Sequence, residues 1–151
     1  MKKITFLVIL LSLGFVNLAN AHGNTALGIQ LGQPTGLSGK FWLDTRSAID
    51  ATFGWNVSYN YVALQAGYLY HFPLGVRTGT LNAYVGIGGL VDVWGATGSS
   101  NGGIRFSARI PLGLEYIYNP ISFYAELDPL MVLIPGTNFE MAGGIGFRYY
   151  F

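Results

Sequence analysis

Few side chains in this sequence could carry out catalysis. Its two histidines are His22 and His71, and its seven carboxylates are scattered along the chain. Glu126 and Asp128 are two residues apart, a spacing that places both on one face of a β-strand, like an acid–base pair. The sequence contains no His-x-Ser pair, and its two histidines leave few ways to assemble a Ser, His and acid set. The sequence therefore predicts no catalytic site, metal site or cofactor.

The composition lacks the charged surface of an ordinary water-soluble domain. Of the 151 residues, 51% are hydrophobic, 15% are aromatic and only 10% are charged, whereas an average domain has about 25% charged residues. This content excludes disorder, and the absence of cysteine excludes a disulfide scaffold or a cysteine-ligated metal. A formal net charge of +1 gives no reason to expect a nucleic-acid partner.

The first 21 residues are predicted to be a cleaved secretory signal peptide. Lys2 and Lys3 form the basic start, residues 4–16 are apolar, and residues 19–21 read Ala-Asn-Ala, a cleavage site. The apolar stretch is short for a membrane-spanning helix, which needs about 20 residues. Residues 22–151 are then predicted to form one exported domain.

The remaining chain alternates between apolar and polar residues in eight stretches separated by Gly, Pro, Asn and Ser. The stretches are 25–32, 36–44, 47–57, 61–72, 81–94, 104–118, 121–128 and 138–151. Their length and spacing predict an all-β fold, an up-and-down antiparallel β-barrel of eight strands. Pro111 predicts a bulge inside the sixth stretch. Residues 130–134 are apolar on both faces and could either continue the seventh strand or fold over the rim.

The charged residues of the eight stretches share the polar face. A soluble barrel would turn this face to water, whereas a membrane barrel turns it inward and exposes the apolar face to lipid. The polar faces are also rich in Gly, Ala and Ser, which favours a narrow interior in which buried charges must pair. The surplus of acids predicts some water or a protonated carboxyl group inside. The predicted interior ion-pair network comprises Lys40, Asp44, Asp50, Asp92, Arg105, Arg109, Glu115, Glu126, Asp128, Glu140 and Arg148.

Aromatic residues on the apolar face lie toward the strand ends, as expected for the girdle of a membrane barrel. The predicted interfacial set is Tyr68, Tyr70, Phe72, Tyr116, Tyr118, Phe123, Phe147, Tyr149 and Phe151. With the export signal and the eight stretches, the ending Phe-Arg-Tyr-Tyr-Phe at 147–151 resembles small outer-membrane barrels of the OmpA membrane-domain and OmpX type. The resemblance implies periplasmic termini and recognition of Phe151, as an assembly signal, by the outer-membrane assembly machinery.

The resemblance also implies a monomeric, integral outer-membrane protein of a Gram-negative-type bacterium, with a structural or surface role in the lipid bilayer. Three alternatives stay open. A porin-like, narrow gated pore could pass ions or small solutes. A lipid A-modifying enzyme is disfavoured because His71 falls at the predicted periplasmic end of its strand. An adhesin is the third, although the longest clear outer connection, 95–103, has no aromatic anchor.

Overall fold

Nine antiparallel strands and no helices make up the part of the chain that the computed structural model describes, residues 23–56, 60–95 and 101–151. The predicted signal peptide, residues 1–21, and His22 lie outside these ranges. No helix in the described ranges is long and apolar enough to cross a membrane. The strands are β1 (Thr25–Gly32), β2 (Gly36–Trp42), β3 (Ser47–Asn56), β4 (Tyr61–Leu74), β5 (Thr80–Trp94), β6 (Gly103–Arg109), β7 (Leu112–Tyr118), β8 (Ile121–Ile134) and β9 (Asn138–Tyr150).

The sheet closes into a ring because β1 pairs with both β2 and β9. Each strand otherwise pairs with its neighbours in sequence, except that β6 and β7 both lie between β5 and β8. They are successive segments of one position in the ring, so that nine strands occupy eight positions. Closure leaves no free sheet edge along these positions, because each strand has a neighbour on both sides.

The division between β6 and β7 falls at Ile110 and Pro111, within the predicted sixth strand. Proline lacks the N–H that a sheet ladder requires. The neighbouring registers are nevertheless continuous: Arg109 pairs with Gly88 and Leu112 pairs with Val85, with two residues between them on each strand. The prediction of a bulge at Pro111 is therefore wrong, because the proline removes ladder hydrogen bonds without inserting a residue.

The bulge lies instead near the end of β8. Phe106 pairs with Ile134 and Ser107 pairs with Val132, which leaves Leu133 as the extra residue. Strand β8 runs without interruption to Ile134, six residues beyond the predicted end, so the chain does not fold over the rim at Leu130. Residues 130–134 are apolar on both faces because the side chains of Leu130 and Val132 are buried in the barrel interior.

The barrel has two ends that differ in their connections. At one end, called the termini end, lie both ends of the barrel chain and the connections 43–46, 75–79 and 119–120. The connections 33–35 and 135–137 lie at the opposite end, called the loop end, together with the strand ends that flank connections 57–60 and 95–102. Residues 57–59 and 96–100 of these connections lie outside the described ranges.

Glycines on the inner face make room for tyrosine rings. A Cβ atom at Gly146 would lie 2.6 Å from ring atoms of Tyr124 and 2.5 Å from the carbonyl oxygen of Ile29. We expect Gly146→Ala to lower the free energy of unfolding by about 1–3 kcal/mol, the usual effect of overpacking. Gly89→Ala is the control, because the nearest atom to its added Cβ is 3.8 Å away. Urea titration of both variants checks this, and equal stability would show that both Tyr124 and the backbone at Ile29 move to accommodate the methyl group.

Candidate functional site in the barrel interior

The barrel is polar inside and apolar outside. Side chains on the inner face, such as Asp50 and Arg109, are completely buried, whereas outward residues such as Ile87 and Phe139 are 68% and 64% exposed. A water-soluble domain buries its apolar side chains and exposes its charges. The alternation in the sequence identifies which residues of each strand share a face. In the closed sheet, the polar face of every strand points into the barrel.

A first cluster of charges, the termini-end cluster, consists of Lys40, His71, Glu115 and Arg148. The Nζ atom of Lys40 donates to Glu115 and lies 2.8 Å from Nε2 of His71. The Nδ1 atom of His71 lies 3.0 Å from the carbonyl oxygen of Arg46, so this nitrogen carries the proton and Nε2 accepts from Lys40. Arg148 lies 3.7 Å from Glu115. These contacts occupy both ring nitrogens of His71.

A second cluster, the central cluster, surrounds Arg109 with three carboxylates. Its guanidinium lies 3.3 Å from Asp50, 3.1 Å from Glu126 and 3.2 Å from Asp128. The hydroxyl of Tyr84 donates to Glu126 at 2.8 Å. All four charged side chains are buried. Glu126 and Asp128 are thus both held by one arginine, and the arrangement is an ion-pair network with more negative than positive groups.

Several polar atoms of the central cluster lack a hydrogen-bond partner among the described residues. These atoms include both carboxylate oxygens of Asp128 and Nη1 of Arg109. The ion pair between these residues is close in distance, but its angle does not make a hydrogen bond. Because buried polar groups are costly to leave unpaired, we expect ordered water between them.

A third cluster, the loop-end cluster, consists of Asp92, Arg105 and Glu140. Arg105 donates to Asp92 at 2.7 Å and to Glu140 at 3.0 Å. The second oxygen of Asp92 accepts from the hydroxyl of Tyr61. Asp92 is completely buried, but the side chains of Arg105 and Glu140 are 27% and 37% exposed. This cluster is therefore reached by solvent, unlike the other two.

A small apolar layer lies between the loop-end cluster and the central cluster, beside the buried polar side chains of Gln65 and Ser107, which pair with Leu90 on the neighbouring strands. It consists of Ala63, Leu90, Leu130 and Ala142, which pack together with Tyr61 beside them. Leu90, Leu130 and Ala142 also line a cavity of about 430 Å³ whose walls include Arg105 and Glu140. The apolar layer is the floor of this cavity, and the buried charges of the central cluster lie beyond it.

Asp44 does not belong to the interior network, contrary to the prediction. It lies in the connection between β2 and β3, where its Oδ1 accepts hydrogen bonds from the backbone N–H groups of Arg46 and Ser47, at 2.7 and 2.8 Å. An Asp side chain commonly stabilises a tight turn in this way. The alternation of apolar and polar residues continues through Trp42 and Leu43 into the turn. The prediction extended the strand to Asp44 for this reason and assigned its side chain to the inner face.

These two backbone hydrogen bonds also hold the pKa of Asp44 below its usual value. A carboxyl group whose pKa is lower in the folded state stabilises the fold above its unfolded pKa of about 4, and the stabilisation disappears as the pH falls through the lower folded value. We expect Asp44→Ala to be less stable than the unaltered protein at neutral pH and equally stable well below pH 4. Urea titrations at several pH values measure this difference, and a difference independent of pH would contradict it.

Sequence reasoning missed the neutral residues that complete the network. Ser38 accepts from Nε and Nη2 of Arg148 at 3.0 and 2.8 Å, and the Arg148 guanidinium lies 3.8 Å from the centre of the Tyr124 ring. Tyr61 and Tyr84 donate to carboxylates of the other two clusters. All four lie at inward positions, so the parity that identified the charges could also have identified these hydroxyls.

Of the predicted interfacial aromatics, seven are exposed on the outer face and Tyr70 and Tyr116 are half-buried. Tyr116 donates from its hydroxyl to the carbonyl of Thr78 at 3.1 Å. Eight of the nine lie nearer the termini end, and Tyr68 lies near the middle of β4, opposite Ile87 of β5. Outward aromatics also occur toward the loop end, where sequence reasoning did not assign them to a girdle, although their parity was apparent. They are Phe53, Trp55, Phe106 and Phe139.

The fold and the interior define a closed antiparallel β-barrel with a charged interior and an apolar exterior. The chain is similar to the crystal structure of the N-terminal β-barrel domain of Pseudomonas aeruginosa OprF, with a TM-score of 0.65 and 20% sequence identity. The similarity covers 84% of this chain and 95% of that one, and it shows the shared barrel fold. No protein-family model matches, and no curated protein matches.

Proposed function

We propose that this chain is an integral outer-membrane β-barrel protein with a structural or surface role. The observation that supports the proposal is the reversal of polarity, with buried ion pairs inside and large apolar residues exposed around the barrel. In water this exterior would be an aggregation surface, far larger than the apolar patches of monomeric soluble proteins. Against lipid it is the favourable exterior. The similarity to a barrel domain of OprF agrees with this location.

In this proposal both termini are periplasmic and the loop end faces the outside. Export uses residues 1–21, and the assembly machinery recognises the terminal strand with Phe151. The barrel is a monomer in Gram-negative-type outer membrane, without a cofactor. The loop end carries no charged residue in its connections, so nothing there favours an adhesin over a structural role.

We propose further that the barrel is not an enzyme. The ring of His71 is buried, packs against Trp42 with centroids 4.3 Å apart and planes tilted by 46°, and uses its two nitrogens for Lys40 and the Arg46 carbonyl. A general base needs a free nitrogen within reach of the proton that it removes. These contacts support a role for His71 in positioning Lys40.

The pore alternative predicts an open polar path, whereas the described part of this interior is filled by buried side chains, including those of the apolar layer. A small barrel filled by side chains offers little room for ions, and apolar constrictions exclude water. We expect the folded protein to give no steady conductance steps in a planar bilayer. Folding is checked first, since a membrane barrel changes its electrophoretic mobility on heating. A heat-sensitive mobility without conductance steps supports the structural role. Steady conductance steps would favour the pore, and a mobility that heating does not change would oppose a membrane barrel.

A further inference from the structure

The cavity at the loop end combines an apolar floor with a charged wall. Its volume of about 430 Å³ lies within the range of small-molecule sites. Leu90, Leu130 and Ala142 form the floor, and the side chain of Tyr61 lines one side. Arg105 and Glu140 lie on the wall and are partly exposed. Pockets that bind small molecules combine apolar side chains with polar groups that converge on the ligand, and this cavity has both, with Gln33 and Thr35 at its rim beside the two charged residues.

The charge around this cavity is negative. The connections 33–35, 57–60, 95–102 and 135–137 contain no Lys, Arg, Asp or Glu. The charges near the cavity among the described residues are therefore those of Asp92, Arg105 and Glu140, two acids and one base. A cation entering the cavity meets no competing positive group other than an arginine that is already paired.

Glu140 is the acid that can accept another partner. Both oxygens of Asp92 are occupied, one by Tyr61 and one by Arg105, and this carboxylate is buried. Glu140 pairs with Nη1 of Arg105, and its side chain remains 37% exposed. Its exposed surface lies beside the apolar floor, so a positive group bound to Glu140 would bring the rest of its molecule against Leu90 and Leu130.

We propose that this cavity binds small organic cations that carry an apolar body. The positive group lies against Glu140, and the apolar body covers Leu90, Leu130 and Ala142. Contact with the floor removes the apolar body of the ligand from water, while the carboxylate selects for positive charge. Small inorganic cations use only the carboxylate, and neutral apolar molecules use only the floor, so both bind more weakly.

The probe is benzyltrimethylammonium, with benzyl alcohol as a neutral counterpart and benzenesulfonate as an anionic one. The leucine methyl NMR signals of the full-length mature barrel in detergent micelles report on the site itself, which separates binding from partition of the probe into detergent. We expect saturable shifts at Leu90 and Leu130 with the cation, and weaker binding of both counterparts. Leu69, buried elsewhere in the interior, should not respond.

Two variants test the role of the carboxylate. Glu140→Gln should weaken binding of the cation by about two- to fivefold, as expected for one partly exposed charge contact. Asp44→Asn removes an equal charge at the termini end and should leave the affinity unchanged. Absence of saturable shifts, equal binding of benzenesulfonate, or unchanged affinity in Glu140→Gln would each overturn the proposal. The comparison of the three probes on the unaltered protein decides the question even if Glu140→Gln fails to fold.

Discussion

Replacement of Arg109 by methionine is expected to prevent folding or to lower the free energy of unfolding by at least about 3–5 kcal/mol. Removal of one partner from a buried ion pair has this cost because a buried charge remains uncompensated. Here three carboxylates, those of Asp50, Glu126 and Asp128, would lose their shared cation. Heat-sensitive mobility measures the folded fraction, and urea titration in micelles measures stability.

Arg105→Met is the matched control for this prediction. Arg105 holds two carboxylates, of which only Asp92 is buried and keeps a hydrogen bond from Tyr61, while water can solvate the partly exposed Glu140 after the change. We expect a clearly smaller loss of stability. Neutralisation of the carboxylates with Asp50→Asn, Glu126→Gln and Asp128→Asn should restore part of the stability of Arg109→Met. If Arg109→Met folds as well as Arg105→Met, the central cluster does not carry the stability assigned to it.

The second large effect is expected on the outer face. Ile87 lies in the middle of β5 and is 68% exposed. Arginine at the bilayer midplane of a membrane barrel costs about 2–4 kcal/mol, whereas the cost near the interface is about 0–1 kcal/mol. We therefore expect Ile87→Arg to destabilise the barrel strongly in phospholipid bilayers.

Leu74→Arg provides the comparison, because Leu74 is also exposed but lies at the end of β4. Both variants would be refolded into the same vesicles and unfolded in urea. A membrane barrel predicts a loss that depends on depth, large at residue 87 and small at residue 74. Similar, small losses at both positions would indicate an exterior that faces water.

Alternation was sufficient to predict most of the strands. The predicted limits 25–32 coincide with those of β1, and the start of β4 was also predicted correctly. Polar parity was sufficient to assign charges such as Arg109 and Asp50 to the inner face. The position of a residue in the alternation determines the face to which its side chain points. The alternation is clear in this chain because one face of every strand is apolar.

The partners across the interior could not be predicted in this way. Lys40 bonds to Glu115, which is 75 residues away in the chain and on a strand that is not a neighbour. Such pairs depend on strand tilt and stagger, which alternation does not encode. The apolar layer could not be predicted for the same reason. Leu130 and Leu90 are in contact because they lie at the same level along the barrel axis, whereas the sequence shows only that both are apolar residues at inward positions.

Contact between the outer face and lipid is tested most directly by quenching with brominated lipids. Trp42, Trp55 and Trp94 would be replaced by phenylalanine and a single tryptophan introduced by Ile87→Trp. Lipids with bromine deep in the acyl chains should quench this tryptophan strongly. A variant that keeps only Trp42, which is half-buried and donates to Tyr150 at 3.0 Å, should be quenched much less. Equal and weak quenching at both positions would contradict a lipid-facing exterior.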